Sequence, residues 1–426
     1  MLQKRLEGNW KNAQEAIILA GGLGTRLREA VPDLPKCMAP VAGQPFLYYV
    51  INYLRRQGIQ RFIFSLGYRH EVIEAYLQKE FSALQYQCCV EEEPLGTGGA
   101  IHLALTKADG EHIFVMNGDS FFAFDAEKMH QLHTTAKAAC TLALKPMQDF
   151  DRYGVVTLDA SGHITSFKEK QYYEKGLINA GVYLVSKPQL FAKQFPSKFS
   201  FEKDYLEQYV SEGKFCGSVE EGYFIDIGIP ADYTKAGKDF QPKPFELSGI
   251  TKDWTLFLDR DGVINEERPG NYVLHKGEFE FYKGVPEAIG KFTHYFKHVI
   301  IITNQRGIGR GLMDEQALYG IHELLSGAIK DSGGHIPAIY YATAVDPKDF
   351  FRKPNPGMAL QATEDFSDID LSKSIMVGNN LSDMKLGKNA GMRTIYLTTT
   401  NEPETLPHAF IDLQLPDLKS LADRLP

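Results

Sequence analysis

Apolar residues follow two alternating periods along the chain. Residues 15–20, 61–66 and 112–116 are apolar runs of strand length, and the first and third end in the turns Gly21-Gly22-Leu23-Gly24 and Asn117-Gly118-Asp119. Between them, residues 46–57 and 71–78 carry apolar side chains at helical spacing. Strand and helix in alternation predict a mostly parallel sheet with helices on both faces. Near residues 238–248 the rhythm breaks in Phe240-Gln241-Pro242-Lys243-Pro244, a polar, proline-rich stretch that reads as a linker. It restarts with apolar runs at 255–258, 298–302 and 374–377. These run into Asp259-Arg260-Asp261-Gly262, Thr303-Asn304-Gln305 and Gly378-Asn379-Asn380. One large sheet is the alternative, but the break favours two domains. The expected fold class is α/β, with two Rossmann-like doubly wound domains, residues 1–240 and 251–426. Sheets of this kind bind ligands at the carboxyl ends of their strands.

Length and charge narrow the function. A chain of 426 residues exceeds one ordinary core. The net charge of −8 comes without a polybasic block, which argues against nucleic acid or an anionic membrane as partner. The five cysteines (Cys37, Cys88, Cys89, Cys140 and Cys216) form no C-x-x-C pair and suit a reducing, cytoplasmic setting. Residues 1–14 are polar and charged, so no signal peptide is visible, and no apolar run approaches a bilayer span. A homo-oligomer is compatible with all of this.

Leu19-Ala-Gly21-Gly22-Leu-Gly24-Thr25-Arg26-Leu27 carries the first candidate chemistry. Its glycines let backbone N–H groups cradle phosphates. Arg26 offers a cationic fork to a triphosphate or a departing pyrophosphate. A glycine turn by itself is a weak signal. Followed by Pro35-Lys36-Cys-Met-Ala-Pro-Val41, it resembles the sugar-nucleotide pyrophosphorylase family, and the resemblance runs through residues 15–237. It implies that Arg26 and Lys36 neutralise phosphate charge. It also implies that Gly96, within Glu93-Pro-Leu-Gly-Thr-Gly-Gly-Ala-Ile101, lies in the segment holding base and ribose. Asn117-Gly-Asp119 and Phe224-Ile-Asp226 would supply two Mg²⁺ carboxylates, Asp119 and Asp226. Glu169, Lys170 and Asn179 would contact the sugar phosphate. A sugar 1-phosphate oxygen would then attack the α-phosphorus of a nucleoside triphosphate, with positioning and electrostatics dominating. The plainer roles are a helix cap for Asp119 and a solvated surface for Lys170. Cys37, with no basic partner beside it, reads as packing rather than a nucleophile.

In the second half, Asp259 and Asp261 lie two residues apart after a strand, so both carboxylates fall on one side of extended chain. One can attack phosphorus while the other, protonated, serves the leaving alcohol; closeness and desolvation favour retaining one proton. With Thr303, Lys353 and Gly378-Asn379-Asn-Leu-Ser-Asp383 in order, the pattern resembles the haloacid dehalogenase superfamily. That implies Asp259 as nucleophile, Asp261 as general acid/base, Thr303 and Lys353 on the phosphoryl group, and Mg²⁺ held by Asp259, Asp261 and Asn379. Asn379 stands where the superfamily has aspartate, which lowers the charge offered to the metal. The segments from Thr303 to Gly311 and from Arg352 to Met358 resemble heptose-bisphosphate and histidinol-phosphate phosphatases, implying substrate contacts at Asn304, Arg310 and Arg352. Those relatives often carry a Cys/His zinc loop. Residues 340–351 hold neither residue type, so no structural zinc is expected.

Residues 28–46 resemble heptose-1-phosphate guanylyltransferases more than the glucose or mannose enzymes. The joint implication is a bifunctional enzyme of GDP-heptose synthesis acting on GTP and heptose phosphates, phosphatase first and transferase second. The alternatives are another hexose 1-phosphate beside a phosphatase of different specificity, or a second domain that only binds.

Overall fold

The computed structural model describes residues 1–6, 14–22, 31, 33–168, 170–241, 244–268 and 270–425. Contacts divide the chain into two units, Asn12–Pro242 and a second that joins Met1–Lys11 to Lys243–Pro426.

In the first unit, Gln14–Ala20, Ile59–Leu66, Gln85–Val90 and His112–Asn117 form a parallel core. Alternation along these strands buries both faces. Ala16 and Ile18 pack with the helix Phe46–Arg56, whereas Ile17 and Val115 pack with the helix Gly96–Leu105. Beyond His112–Asn117 the nine-stranded sheet turns antiparallel through Tyr173–Ser186, with Cys140–Phe150, Val155–Leu158 and Ile164–Lys168. The sheet is therefore mixed, with parallel pairing concentrated in its amino-terminal half.

The second unit has a seven-stranded, wholly parallel sheet. Its spatial order is Leu2–Leu6, Ala338–Ala342, His298–Asn304, Thr255–Leu258, Ser374–Gly378, Arg393–Leu397, Leu413–Leu415. The chain winds outward from Thr255–Leu258 in both directions, so the crevice at that strand's carboxyl end is the expected ligand position.

Leu2–Leu6 departs from the expected division at 1–240. It adds an edge strand to the second unit, with Gln3 opposite Ile339. Leu6 is buried among Phe257, Ile300 and Tyr340, and Lys4 and Arg5 pair with Asp365 and Glu315. Charged side chains along an outer strand also discourage pairing with other chains.

Candidate functional site

Strand ends assemble the first site. Phe224–Asp226 pairs antiparallel with Ser120–Phe122 and sets Asp226 opposite Ser120, bringing it beside Asp119. The short 3-10 turn Lys36–Met38 carries the cation. Lys36 Nζ lies 2.7 Å from Asp119 Oδ2 and 3.2 Å from Asp226 Oδ1. The Gly228 N–H donates to Asp226 Oδ1 at 2.8 Å, fixing that carboxylate. Burial pulls the Lys36 ammonium down, but Asp119 and Asp226 together hold it above its ordinary value. Burial, then Asp119, pushes the neighbouring Cys37 thiol up to about 12, so it is a neutral packing group.

Two cavities flank this cluster. One, of about 710 Å³, is lined by Gly21, Gly22, Glu91, Gly96, Asn117 and Asp119. The other, of about 580 Å³, is lined by Asn117, Lys170, Asn179, Glu202 and Asp226. The structure thus brings together Gly21, Gly22, Lys36, Gly96, Asn117, Asp119, Lys170, Asn179 and Asp226. The expected contacts Gly24, Thr25, Arg26 and Glu169 lie outside the described residues. Asn179 differs in detail: its Oδ1 accepts from Gly181 N–H and its Nδ2 donates to Tyr183 Oη at 2.8 Å, so the amide braces its own strand.

Glu91 was not among the expected residues, although it opens the acidic run before Pro94. Its Oε2 accepts the Leu95 N–H at 3.0 Å, which holds the carboxylate at the wall of the larger cavity. Gly96 adopts φ +72°, and a Cβ there would lie 2.6 Å from the Phe199 carbonyl oxygen. Gly96→Ala is expected to cost about 2 kcal/mol and to lower the melting temperature by about 4–8 °C in a thermal scan.

The second site is more deeply buried. Lys353 Nζ bridges Asp259 Oδ1 at 2.7 Å and Asp383 Oδ1 at 2.6 Å, with all three side chains nearly inaccessible. Asp259 Oδ1 also accepts the Arg260 N–H at 2.7 Å. Arg260 is fully buried and forks onto Asp261, its Nη2 lying 2.8 and 2.9 Å from the two carboxylate oxygens. Asn265 and Gln305 complete the Asp261 shell, and Gln305 Nε2 also donates to Thr303 Oγ1 at 3.0 Å.

The surroundings of the two carboxyls differ. Burial, then Asp383, pushes the Asp259 carboxyl well up against the pull of Lys353. Burial also opposes ionisation of Asp261, yet Arg260, Asn265 and Gln305 outweigh it and hold that carboxyl below its usual range. The two neighbouring carboxyls are thus pushed in opposite directions, Asp259 up and Asp261 down.

Other expected contacts resolve differently. Asn304 Oδ1 accepts the Lys353 N–H at 3.1 Å, so Asn304 braces that lysine's backbone instead of reaching outward. Asn379 Nδ2 donates to Glu267 Oε2 at 2.9 Å and Thr400 Oγ1 at 2.6 Å. An aspartate here would press two carboxylates together, which accounts for the amide. Arg310 and Arg306 lie 5.8 and 5.9 Å from the ring centre of Tyr272. Burial, followed by the charge of Arg306, lowers Arg352, marking these arginines as one cationic cluster.

A family model for nucleotidyl transferases matches residues 15–242, more than half the sequence. The chain belongs to the nucleotidyl transferase family. A second model, described as polynucleotide kinase 3 phosphatase, matches residues 253–396. This nucleotidyltransferase therefore carries a phosphatase-family domain on the same chain. It is 49% identical over 228 residues to a D-glycero-alpha-D-manno-heptose 1-phosphate guanylyltransferase of Aneurinibacillus thermoaerophilus, covering 53% of this chain and 98% of that one. The protein of the same name from Campylobacter jejuni is 44% identical over 219 residues, 51% of this chain and 96% of the relative. Among solved structures, HddC from Yersinia pseudotuberculosis is 38% identical with a TM-score of 0.50, spanning 54% of this chain and all of that one. Among the described residues no helix is long and apolar enough to cross a membrane.

Each site turns two carboxylate oxygens, donors of the hard type that Mg²⁺ takes, onto one ammonium, Lys36 or Lys353; among the described residues no group of three or more His, Cys, Asp or Glu comes together that could hold a metal ion. In the second site the pair is Asp259 and Asp383. Asp261, expected as a ligand, has both oxygens engaged by Arg260.

Proposed function

We propose that the chain makes GDP-heptose in two steps. The phosphatase unit removes the 7-phosphate of D-glycero-D-manno-heptose 1,7-bisphosphate, and the transferase unit joins GMP from GTP to the resulting heptose 1-phosphate. The reading rests above all on two cavities that share Asn117 and are lined one by Asp119, the other by Asp226, the two carboxylates that hold Lys36. One suits a nucleotide, the other a sugar phosphate, and the reacting groups would meet between them. The relatives' names favour heptose and guanine.

In the transfer step an oxygen of the sugar 1-phosphate attacks the α-phosphorus as the bond to pyrophosphate breaks. Lys36 lies beside the carboxylates to balance the charge that gathers there. Bound Mg²⁺ would supply further charge neutralisation in both units. Glu91 supports guanine. A fixed carboxylate accepts from the N1–H and N2–H₂ donors of that base, whereas adenine and the pyrimidines lack this pair of donors.

In the phosphatase step an Asp259 oxygen attacks phosphorus and the bond to the sugar oxygen breaks. Asp261 gives that oxygen a proton. Water then attacks the aspartyl phosphate, Asp261 takes the water proton, and phosphate and free Asp259 remain. The cluster of Arg306, Arg310 and Arg352 beside Tyr272 suits the second phosphate of a bisphosphate.

Pyrophosphate release from each of four nucleoside triphosphates, with heptose, mannose and glucose 1-phosphates, tests the transferase reading. GTP with heptose 1-phosphate is expected to lead. Glu91→Gln, which exchanges one acceptor for a donor, is expected to lower kcat/KM for GTP by about tenfold to a hundredfold. A wild-type preference for UTP or TTP with glucose 1-phosphate rejects the reading.

A further inference from the structure

A π-helix walls one side of the smaller cavity in the transferase unit. Phe201–Glu207 forms it, and Ser200, Glu202, Lys203 and Glu207 line the cavity. Such helices are rare and gather at functional sites. Ser200 starts this one by accepting the Lys203 N–H.

Glu202 is the fixed group on that wall. Its Oε2 accepts from Thr97 Oγ1 at 2.8 Å and from Ser200 Oγ at 3.3 Å, and its Oε1 accepts from Tyr183 Oη at 3.2 Å. Thr97 Oγ1 itself accepts the Phe201 N–H at 2.9 Å, which leaves its own hydrogen for Glu202. Tyr183 is buried, and burial, followed by the charge of Glu202, holds its phenol well above the ordinary value. The phenol therefore stays a donor. It accepts in turn from Asn179 Nδ2 at 2.8 Å. The polar line that begins at Asn179 thus ends on Glu202, at the cavity. A carboxylate has about four acceptor sites, so these three bonds leave room for a ligand's donor.

The chemistry of this wall selects hydroxyls. A carboxylate only accepts, and it repels phosphate. In a sugar 1-phosphate the donors are the sugar hydroxyls, while the anionic end suits a lysine; Lys170 lines the same cavity. Because Glu202 is held before a ligand arrives, little ordering cost falls on binding.

We propose that Glu202 is a specificity-determining residue of the transfer site, accepting sugar hydroxyls with a carboxylate that Thr97 and Tyr183 hold in place. Thr97 also lines the larger cavity, so the segment that borders the nucleotide fixes a wall for the sugar. This rests on the transferase reading above.

Glu202→Gln in the full chain keeps the side chain's shape and removes its charge. With GTP, it is expected to raise KM for heptose 1-phosphate by about tenfold, while KM for GTP and kcat stay within about twofold. Tyr183→Phe removes one of the bonds that hold the carboxylate. It should raise the same KM by about threefold, and it tests the proposal even if Glu202→Gln does not fold. Singly deoxygenated sugar 1-phosphates locate the contact. One of them should cost the wild type about tenfold in kcat/KM and cost Glu202→Gln little more. Equal rises in the two KM values, an unchanged KM for the sugar phosphate, or additive losses on every analogue overturn the proposal. If the wild type prefers another sugar 1-phosphate, the heptose reading fails, and the same split measured with that sugar still decides the role of Glu202.

Discussion

Asp259→Asn is expected to lower phosphate release from heptose 1,7-bisphosphate by about 10⁴-fold or more, because on the proposed mechanism it removes the atom that would form the aspartyl phosphate. The carboxylate's environment makes the loss specific. Asp259 is nearly buried, accepts from Lys353 Nζ and the Arg260 N–H, and stands among groups already paired. An amide of the same size keeps that packing, and Lys353 retains Asp383 at 2.6 Å. The variant should therefore fold, bind the bisphosphate and stall. Supplied with heptose 1-phosphate and GTP, it should still release pyrophosphate at the wild-type rate, since Asp119 and Asp226 belong to the other unit. A variant that keeps more than about a tenth of its phosphatase rate would remove Asp259 from the nucleophile's role.

Asp119→Asn is expected to have the opposite selectivity. Two anions must approach each other in the transfer step, and Asp119 helps set the charge of the place where they meet. Its loss leaves Lys36 with Asp226 alone, at the longer 3.2 Å contact, and would remove one of the two carboxylates proposed to hold a divalent cation. Loss of a fixed electrostatic partner in a reacting centre costs about 10²–10³ in rate, or about 3–4 kcal/mol. Pyrophosphate release should fall by that factor, while phosphate release from the bisphosphate stays unchanged. A change smaller than about tenfold would mean that Asp119 only caps local structure.

Much of both sites was legible because phosphate chemistry uses residues in short, ordered segments. The glycine turn at Gly21, the Asn117-Gly118-Asp119 turn and the Asp259-Arg260-Asp261 run sit at strand ends, where the chain itself delivers them, and Lys353 lies in the turn before the helix Gly357–Asp365. The less legible features depend on partners distant in sequence. Nothing near Glu91 indicates that its oxygens would be fixed by Leu95 and Ser65. The like-charge spacing of Asp259 and Asp261 suggested a shared proton. The opposite shifts of the two carboxyls depend on Asp383, more than a hundred residues away, and on the fork of Arg260. Leu2-Gln-Lys-Arg-Leu6 is short and polar, with no periodicity strong enough to announce a strand. Its pairing with Ala338–Ala342 is a tertiary outcome.

That pairing also sets a timetable for synthesis. Leu2–Leu6 emerges from the ribosome before any of its sheet partners, and the whole Asn12–Pro242 unit can fold before Ala338–Ala342 exists to receive it. The transferase unit thus lies in sequence between an early strand and its late partner, and pairing the two closes a long loop at an entropic cost. A fragment beginning after the linker would present the backbone of Ala338–Ala342 as an open seam to its neighbours, which is an invitation to aggregate.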